Sequence, residues 1–202
     1  MAEVIRLVKE AIPRNFGFNP LEDIQVLTPM QRSEIGARNQ NLRLQAALNP
    51  TGPSVARFGW NFRVGDKVMQ TVNDYEKDVF NDDMGRIDAI DEVEQEVAVA
   101  YEGRVVIYDF NELDELQPSF AVTIHKSQGS EYPVVVIPFH MQHYMMLQRN
   151  LLYTAVTRGK KLVVLVGTKK AVAMAVKRTE SQKRITTLRQ RLVEQADSVV
   201  DE

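Results

Sequence analysis

The hydrophobic and polar positions of this chain change period twice. The N-terminal stretch MAEVIRLVKEAIPRN is amphipathic and predicts a short helix. Residues 23–28, DIQVLT, predict an apolar strand ending at Pro29. Ser33 then stands where it would cap a helix running through EIGARNQNLRLQAAL, stopped at Asn49-Pro50. NPTGPSVARFG reads as a loop and a boundary. From Trp60 the period shortens towards two. KVMQTV, GRIDAI, EVAVAY and RVVIYDF predict short antiparallel strands, with Glu102-Gly103 as a tight hairpin turn, Asp82, Asp83 and Gly85 as another, and Val97, Val99 and Tyr101 on one face. About five such strands make a small barrel. After Pro118 helices and strands alternate again. FAVTI and PVVVIPF are strands, LQRNLLYTAVTRGK a helix, KLVVLVG a third buried strand and TKKAVAMAVKR a helix, with a basic helical tail from about Ser181 to Val193.

This pattern predicts an α/β fold in which a parallel sheet flanked by helices is interrupted by a small antiparallel β-barrel. Residues 1–59 and 119–202 form the discontinuous α/β domain, and residues 60–118 the insert. Ligands of such sheets bind at the carboxyl ends of strands. The heptapeptide HKSQGSE, residues 125–131, breaks the apolar run between FAVTI and PVVVIPF and is expected at one such end.

Charge sharpens the division. Residues 60–118 hold 16 acidic and 5 basic side chains, a net of −11, whereas the remainder holds 20 basic and 11 acidic, a net of +9. The basic unit is the better phosphate binder, although two solvated surfaces of complementary charge would give the same numbers. Cysteine is absent, so disulfides and thiolate metal sites are excluded, and no apolar run reaches a membrane span. A cytoplasmic, soluble protein with no membrane partner is expected.

TIHKSQGSEYPVVVIP resembles motif V, and RNLLYTAVTRGKKLVVLVG motif VI, of superfamily 1 helicases. DIQVLTPMQRSEIGARNQNLRLQAALNP and FRVGDKVMQTVNDYEKDVFNDDMGRIDAI are similar to the RecD-like branch, over about residues 20–170 in all. The resemblance implies a second RecA-like motor domain carrying a Src-homology-3-like barrel, with 5′-3′ travel on single-stranded DNA. It implies that Arg158 is an arginine finger, whose positive charge meets the γ-phosphate as charge shifts in the transition state. It implies that Glu131 holds ribose hydroxyls, that Gly129 lets the backbone approach the nucleotide, and that Gln128 relays between nucleotide and DNA. Thr123, His125 and Lys126 match positions near the translocating strand, and Arg32 and Asn73 are further DNA candidates. Ser33 departs from the glycine common in relatives.

The chain lacks a G-x-x-x-x-G-K-[ST] phosphate loop. ATP and magnesium are therefore expected only together with an N-terminal RecA-like domain of the same protein, this chain being the C-terminal part of a longer helicase and inactive alone. Single-stranded DNA and other repair proteins are the expected partners. No metal site is expected: His140 and His143 lack a third ligand. Tyr153 reads as an interdomain brace, and Met145, Met146 and Leu147 as core or interdomain contact. The acidic barrel should bind DNA weakly by itself, through Arg63, Lys67, Asn73 and Tyr75 if at all. The alternative function is a non-catalytic module that binds single strands or proteins.

Overall fold

The structure is a computed structural model and describes residues 1–178; the tail read as a basic helix lies outside them. Four parallel strands, β1 (Ile24–Thr28), β9 (Ala121–Thr123), β10 (Tyr132–Phe139) and β11 (Gly159–Gly167), lie in the order β11-β10-β1-β9. Successive side chains of a strand point to opposite faces, so β10 feeds two cores. Val134 and Val136 meet Val4, Val8 and Ile12 of the N-terminal helical run and Leu44 of α3 (Ala37–Leu48). Val135 and Ile137 meet Leu151 and Ala155 of α4 (Arg149–Val156) and Ala171 and Ala175 of α5 (Lys169–Lys177). Each such valine, isoleucine or leucine side chain contributes about 1.5–3 kcal/mol of burial free energy.

The N-terminal run consists of α1 (Ala2–Arg6), a π turn (Leu7–Ala11) and α2 (Ile12–Phe16). Pro13 has no N–H to donate to the carbonyl four residues back, and the preceding turn widens where that bond would form.

In the insert, β4 (Lys67–Gln70), β5 (Met84–Asp91), β6 (Glu96–Tyr101), β7 (Arg104–Asp109) and β8 (Leu116–Pro118) form an antiparallel sheet ordered β7-β6-β5-β4-β8. Val97, Val99 and Tyr101 point inward beside Phe62, Tyr108 and Leu113, as the alternation predicts. Gly85 lies within β5 rather than in a turn; a Cβ there would stand 2.6 Å from Val99 Cγ1.

The barrel is fused to the parallel sheet along β4. Val68 enters the barrel core, and its neighbour Met69 enters the core under the parallel sheet beside Leu27 and Phe139. Lys67 Nζ donates to Gln25 Oε1 (2.8 Å) and to the Ile24 carbonyl (3.3 Å), both on β1. At the neighbouring corner, the buried Asp66 carboxylate accepts from Gln45 Nε2 (2.5 Å) and Asn49 Nδ2 (2.8 Å) of the α3 end and from the Arg63 N–H (2.8 Å). Burial pushes its pKa up despite these three donors.

Four sequence expectations need correction. Ser33 caps nothing: α3 starts at Ala37 after Gly36, because Ala37 and Arg38 N–H groups donate to the Met30 and Gln31 carbonyls (2.9 and 3.1 Å). Ser33 instead holds a positive φ of 136° in that folded-back loop. The Pro/Gly-rich stretch contains β2 (Ser54–Arg57), which pairs with β3 (Trp60–Arg63) and buries Val55 in the barrel core. The helix before Arg158 ends at Val156, since Tyr132 N–H takes the Arg158 carbonyl (2.8 Å) and strand pairing begins at Gly159. Finally, among the described residues β11 is an edge strand with one neighbour and is only half-buried, so its apolar run does not report a central position.

His143, in the 3-10 segment Met141–Met146, is fully buried with neither ring nitrogen hydrogen-bonded. Burial, with a smaller contribution from His140, pushes its pKa down to about 4. Between that value and the ordinary ~6.5 the unfolded chain binds the extra proton. Stability is therefore complete above pH ~6.5 and falls by about 3 kcal/mol as pH drops towards 4. His143→Leu should remove that part of the acid sensitivity, which urea unfolding at two pH values will read; an unchanged pH slope in the variant rules the assignment out.

Candidate functional site

The polar heptapeptide begins at the expected place and ends elsewhere. Thr123 is level with Thr28 at the carboxyl ends of β9 and β1, and the Ile124 N–H donates to the Thr28 carbonyl (3.0 Å). Tyr132, where the segment ends, pairs with Gly159 at the amino ends of β10 and β11. Residues 124–131 thus cross the sheet from one rim to the other, passing β1. The expectation of a knot confined to the carboxyl ends holds for its first half only. The sequence could not show this, because the offset between β9 and β10 is a property of the register of each against β1.

At the carboxyl rim, His125 and Arg32 are exposed on loops leaving two paired strands. Thr123 Oγ1 accepts from the Lys126 N–H (3.4 Å) and tightens the 3-10 turn His125–Ser127, whose Ser127 hydroxyl donates to the Ile124 carbonyl (2.7 Å). The Lys126 ammonium reaches across to the barrel, 2.9 Å from Asp82 Oδ1 and 3.5 Å from Asn81 Oδ1. Asn73 is exposed in the same barrel loop, accepting from the Asn81 N–H (2.9 Å) and donating to the Tyr75 hydroxyl (3.4 Å). The Tyr75 ring, 78% exposed, meets Phe80 edge-on at 6.0 Å. Of the four barrel residues considered for nucleic-acid contact, Lys67 is committed to β1, and Arg63 donates to the Asn49 carbonyl (2.5 Å). Asn73 and Tyr75 remain on the surface.

At the amino rim, the half-buried Arg158 guanidinium donates to the carbonyls of Ser130 (3.1 Å) and Thr154 (3.1 Å) and to Thr157 Oγ1 (3.2 Å). All its acceptors are neutral; among the described residues no carboxylate lies within salt-bridge distance of it. Glu131 is exposed and 3.3 Å from Lys160 Nζ, a residue the sequence reading passed over although it lies two positions after Arg158. Gln128 and Gly129 are exposed between the rims. Gly129 holds φ +89° with open space around its Cα, so backbone conformation rather than present crowding requires the glycine.

A cleft of about 460 Å³ beside Ser130 and Tyr132 is lined by Asp82, Asp83, Glu102 and Arg104 from the barrel. Three carboxylates against one arginine make it a poor host for a polyphosphate, which directs attention to the Arg158 side of the rim. His140 Nδ1 accepts from the Gln142 N–H (3.3 Å), while His143 faces the interior, so the two histidines do not converge. Tyr153 is 70% exposed on α4.

A parallel sheet flanked by helices and interrupted by a small antiparallel barrel is a RecA-like domain carrying an SH3-like insert. Residues 118–166 match the UvrD-like helicase C-terminal domain, and residues 40–101 the ATP-dependent RecD-like DNA helicase SH3 domain. The chain belongs to the RecD-like branch of superfamily 1 helicases. It is 37% identical over 169 residues to the ATP-dependent RecD2 DNA helicase of Deinococcus radiodurans, covering 84% of this chain and 23% of that protein. The RecBCD enzyme subunit RecD of Mycolicibacterium smegmatis is 31% identical over 85% of this chain and 30% of its own length. This chain thus spans about a quarter of these curated relatives. Solved structures of Pif1 helicases share the fold: the Bacteroides protein with ADP-AlF3 and single-stranded DNA at TM-score 0.58 and 16% identity, over 98% of this chain and 51% of that one. The Candida albicans Pif1 helicase aligns at TM-score 0.54 and 13% identity, over 95% and 53%. Among the described residues no helix is long and apolar enough to cross a membrane.

Proposed function

We propose that this chain is the second motor half of an ATP-dependent DNA helicase that moves 5′-3′ on single-stranded DNA. The observation that carries the reading is Arg158, a half-buried guanidinium held only by neutral acceptors at the meeting point of the two polar clusters. Arginine is always charged, and one without a carboxylate partner is ready for an anion from outside. Glu131, Gly129 and Gln128 belong to the segment whose Ser130 carbonyl Arg158 bonds, and would meet the nucleotide's sugar and backbone-facing edge. Thr123, His125, Lys126 and Arg32 at the opposite rim, with Asn73 on the barrel loop, would follow the strand.

The residues present fit half of a magnesium-nucleotide site. They supply positive charge and a glycine-opened backbone; a preceding RecA-like domain would bring the phosphate-loop lysine and the magnesium carboxylate. Magnesium, when bound, would neutralise charge on the phosphates. Lys126 would leave Asp82 for a phosphate at little cost, because an ion pair this exposed is worth only ~0–1 kcal/mol.

ATP hydrolysis by this chain, with and without single-stranded DNA, beside the longer protein is the direct test. Silence of the chain together with DNA-stimulated turnover of the longer protein is expected. Turnover by the chain alone would overturn the assignment, and a longer protein that binds DNA without turnover would point to the non-catalytic binding module.

A further inference from the structure

The outer face of the barrel carries an unpartnered surface that neither nucleotide nor DNA explains. In the cross-strand register of β5, β6 and β7, Asp91, Glu96 and Asp109 form one row, and Ala89, Ala98 and Ile107 the next. Arg86, Ala100 and Val105 form the third. Three like charges directly opposed across neighbouring strands destabilise a sheet, and among the described residues no cation lies within salt-bridge distance of them. Residues 88–109 hold seven acidic side chains, all exposed, and one basic, Arg104, which turns away to Asp78 and Asp83. Beside this row, Val105 and Ile107 are 57% and 45% exposed.

The same two residues lie on an open edge. β7 has β6 as its one strand neighbour among the described residues. The two-residue turn Glu102-Gly103 and the bond from Phe110 N–H to the Gln95 carbonyl (2.9 Å) set which β7 groups face β6. They are those of Arg104, Val106 and Tyr108, so the N–H and C=O groups of Val105 and Ile107 point outward. Asp109, next in that outward series, satisfies its N–H with the Glu112 carboxylate (2.8 Å). Natural sheets protect such edges with lysine, proline or a bulge, and β7 has none of these.

We infer that the β7 edge docks an extended segment of another polypeptide as an added strand, one in which a Lys or Arg is followed at alternate positions by apolar residues. Period two places three consecutive same-face side chains of the guest against Asp109, Ile107 and Val105 in turn. The first needs a cation and the other two need apolar groups. Charge selects this occupant: a nucleic-acid backbone is repelled, and a second copy would bring its own carboxylate row against this one.

The test uses the 202-residue chain and a fluorescein-labelled peptide, RTVTVTR, with ETVTVTE as the acidic control. Saturable anisotropy with RTVTVTR alone is expected, together with slowed hydrogen exchange at the Val105 and Ile107 amides. Ile107→Pro removes an outward N–H and leaves the β6–β7 ladder intact, and Glu96→Lys breaks the carboxylate row at an exposed position. Each should weaken binding about tenfold while thermal unfolding by circular dichroism stays cooperative. No binding of RTVTVTR, equal binding of ETVTVTE, or undiminished binding by both folded variants overturns the proposal. Doubling of mass without peptide binding overturns it too, in favour of a copy-to-copy interface.

Discussion

Replacing Arg158 by alanine in the full-length protein is expected to lower DNA-stimulated ATP turnover by about 10³-fold or more, the range of arginine-finger losses. Affinity for single-stranded DNA should change by no more than about threefold, since Arg158 stands at the amino rim and the strand candidates at the carboxyl rim. The physical reason is that the guanidinium would contribute in the transition state, where charge on the γ-phosphate shifts, and little in the ground state. Arg158→Lys should recover only a small part of the loss, because an ammonium cannot span two phosphate oxygens as a planar fork does. The guanidinium also bonds the Ser130 carbonyl, so a melting curve must accompany the kinetics. Persistence of hydrolysis with loss of DNA binding would contradict the motor reading.

The second large effect is on stability. Asp66→Ala should destabilise the chain by about 3–5 kcal/mol, the cost of leaving three buried donors without an acceptor at roughly 1–3 kcal/mol each. The variant leaves Gln45 Nε2, Asn49 Nδ2 and the Arg63 N–H without their shared acceptor at the junction of α3 and the barrel. Asp66→Asn keeps the shape and one acceptor oxygen and should lose less. Urea unfolding of the three proteins checks this ranking; equal midpoints would mean that the carboxylate contributes nothing net. A raised carboxyl pKa has a definite sign as well: the folded state holds the proton more tightly, so the Asp66 contribution favours folding as pH falls through its pKa, opposite to that of His143.

Elements whose side chains face one environment were legible from the sequence. The alternation of Val97, Val99 and Tyr101 announced a half-buried hairpin strand, and the seven-residue run PVVVIPF a strand between two cores. Whatever depends on a distant partner was not. Asp66 looks like any turn aspartate until α3 brings Gln45 and Asn49 to it, across 21 and 17 residues. The apolar run of β11 reads as central because composition reports propensity, while its edge position follows from strand order. Ser33 has the chemistry of a cap, and main-chain carbonyls took the N–H groups first. Among the site residues, the contact between the end of motif V and Arg158 could be anticipated from the motifs together; the pairing of Lys126 with the barrel's Asp82 could not.

The crossover of residues 124–131 has a mechanical meaning. Its ends are six residues apart in strand register, about 20 Å along the sheet, and two strand spacings apart sideways, a span of about 22 Å. With one 3-10 turn in it, the segment can reach only about 26 Å. Such a tether has only about 4 Å of slack. A displacement of the His125 end that uses up those few ångströms would pull directly on Ser130, as along a cord rather than through a rearrangement relayed by packing. On the proposed assignment, a motor built this way would need no separate lever between its strand-binding rim and its nucleotide-binding rim.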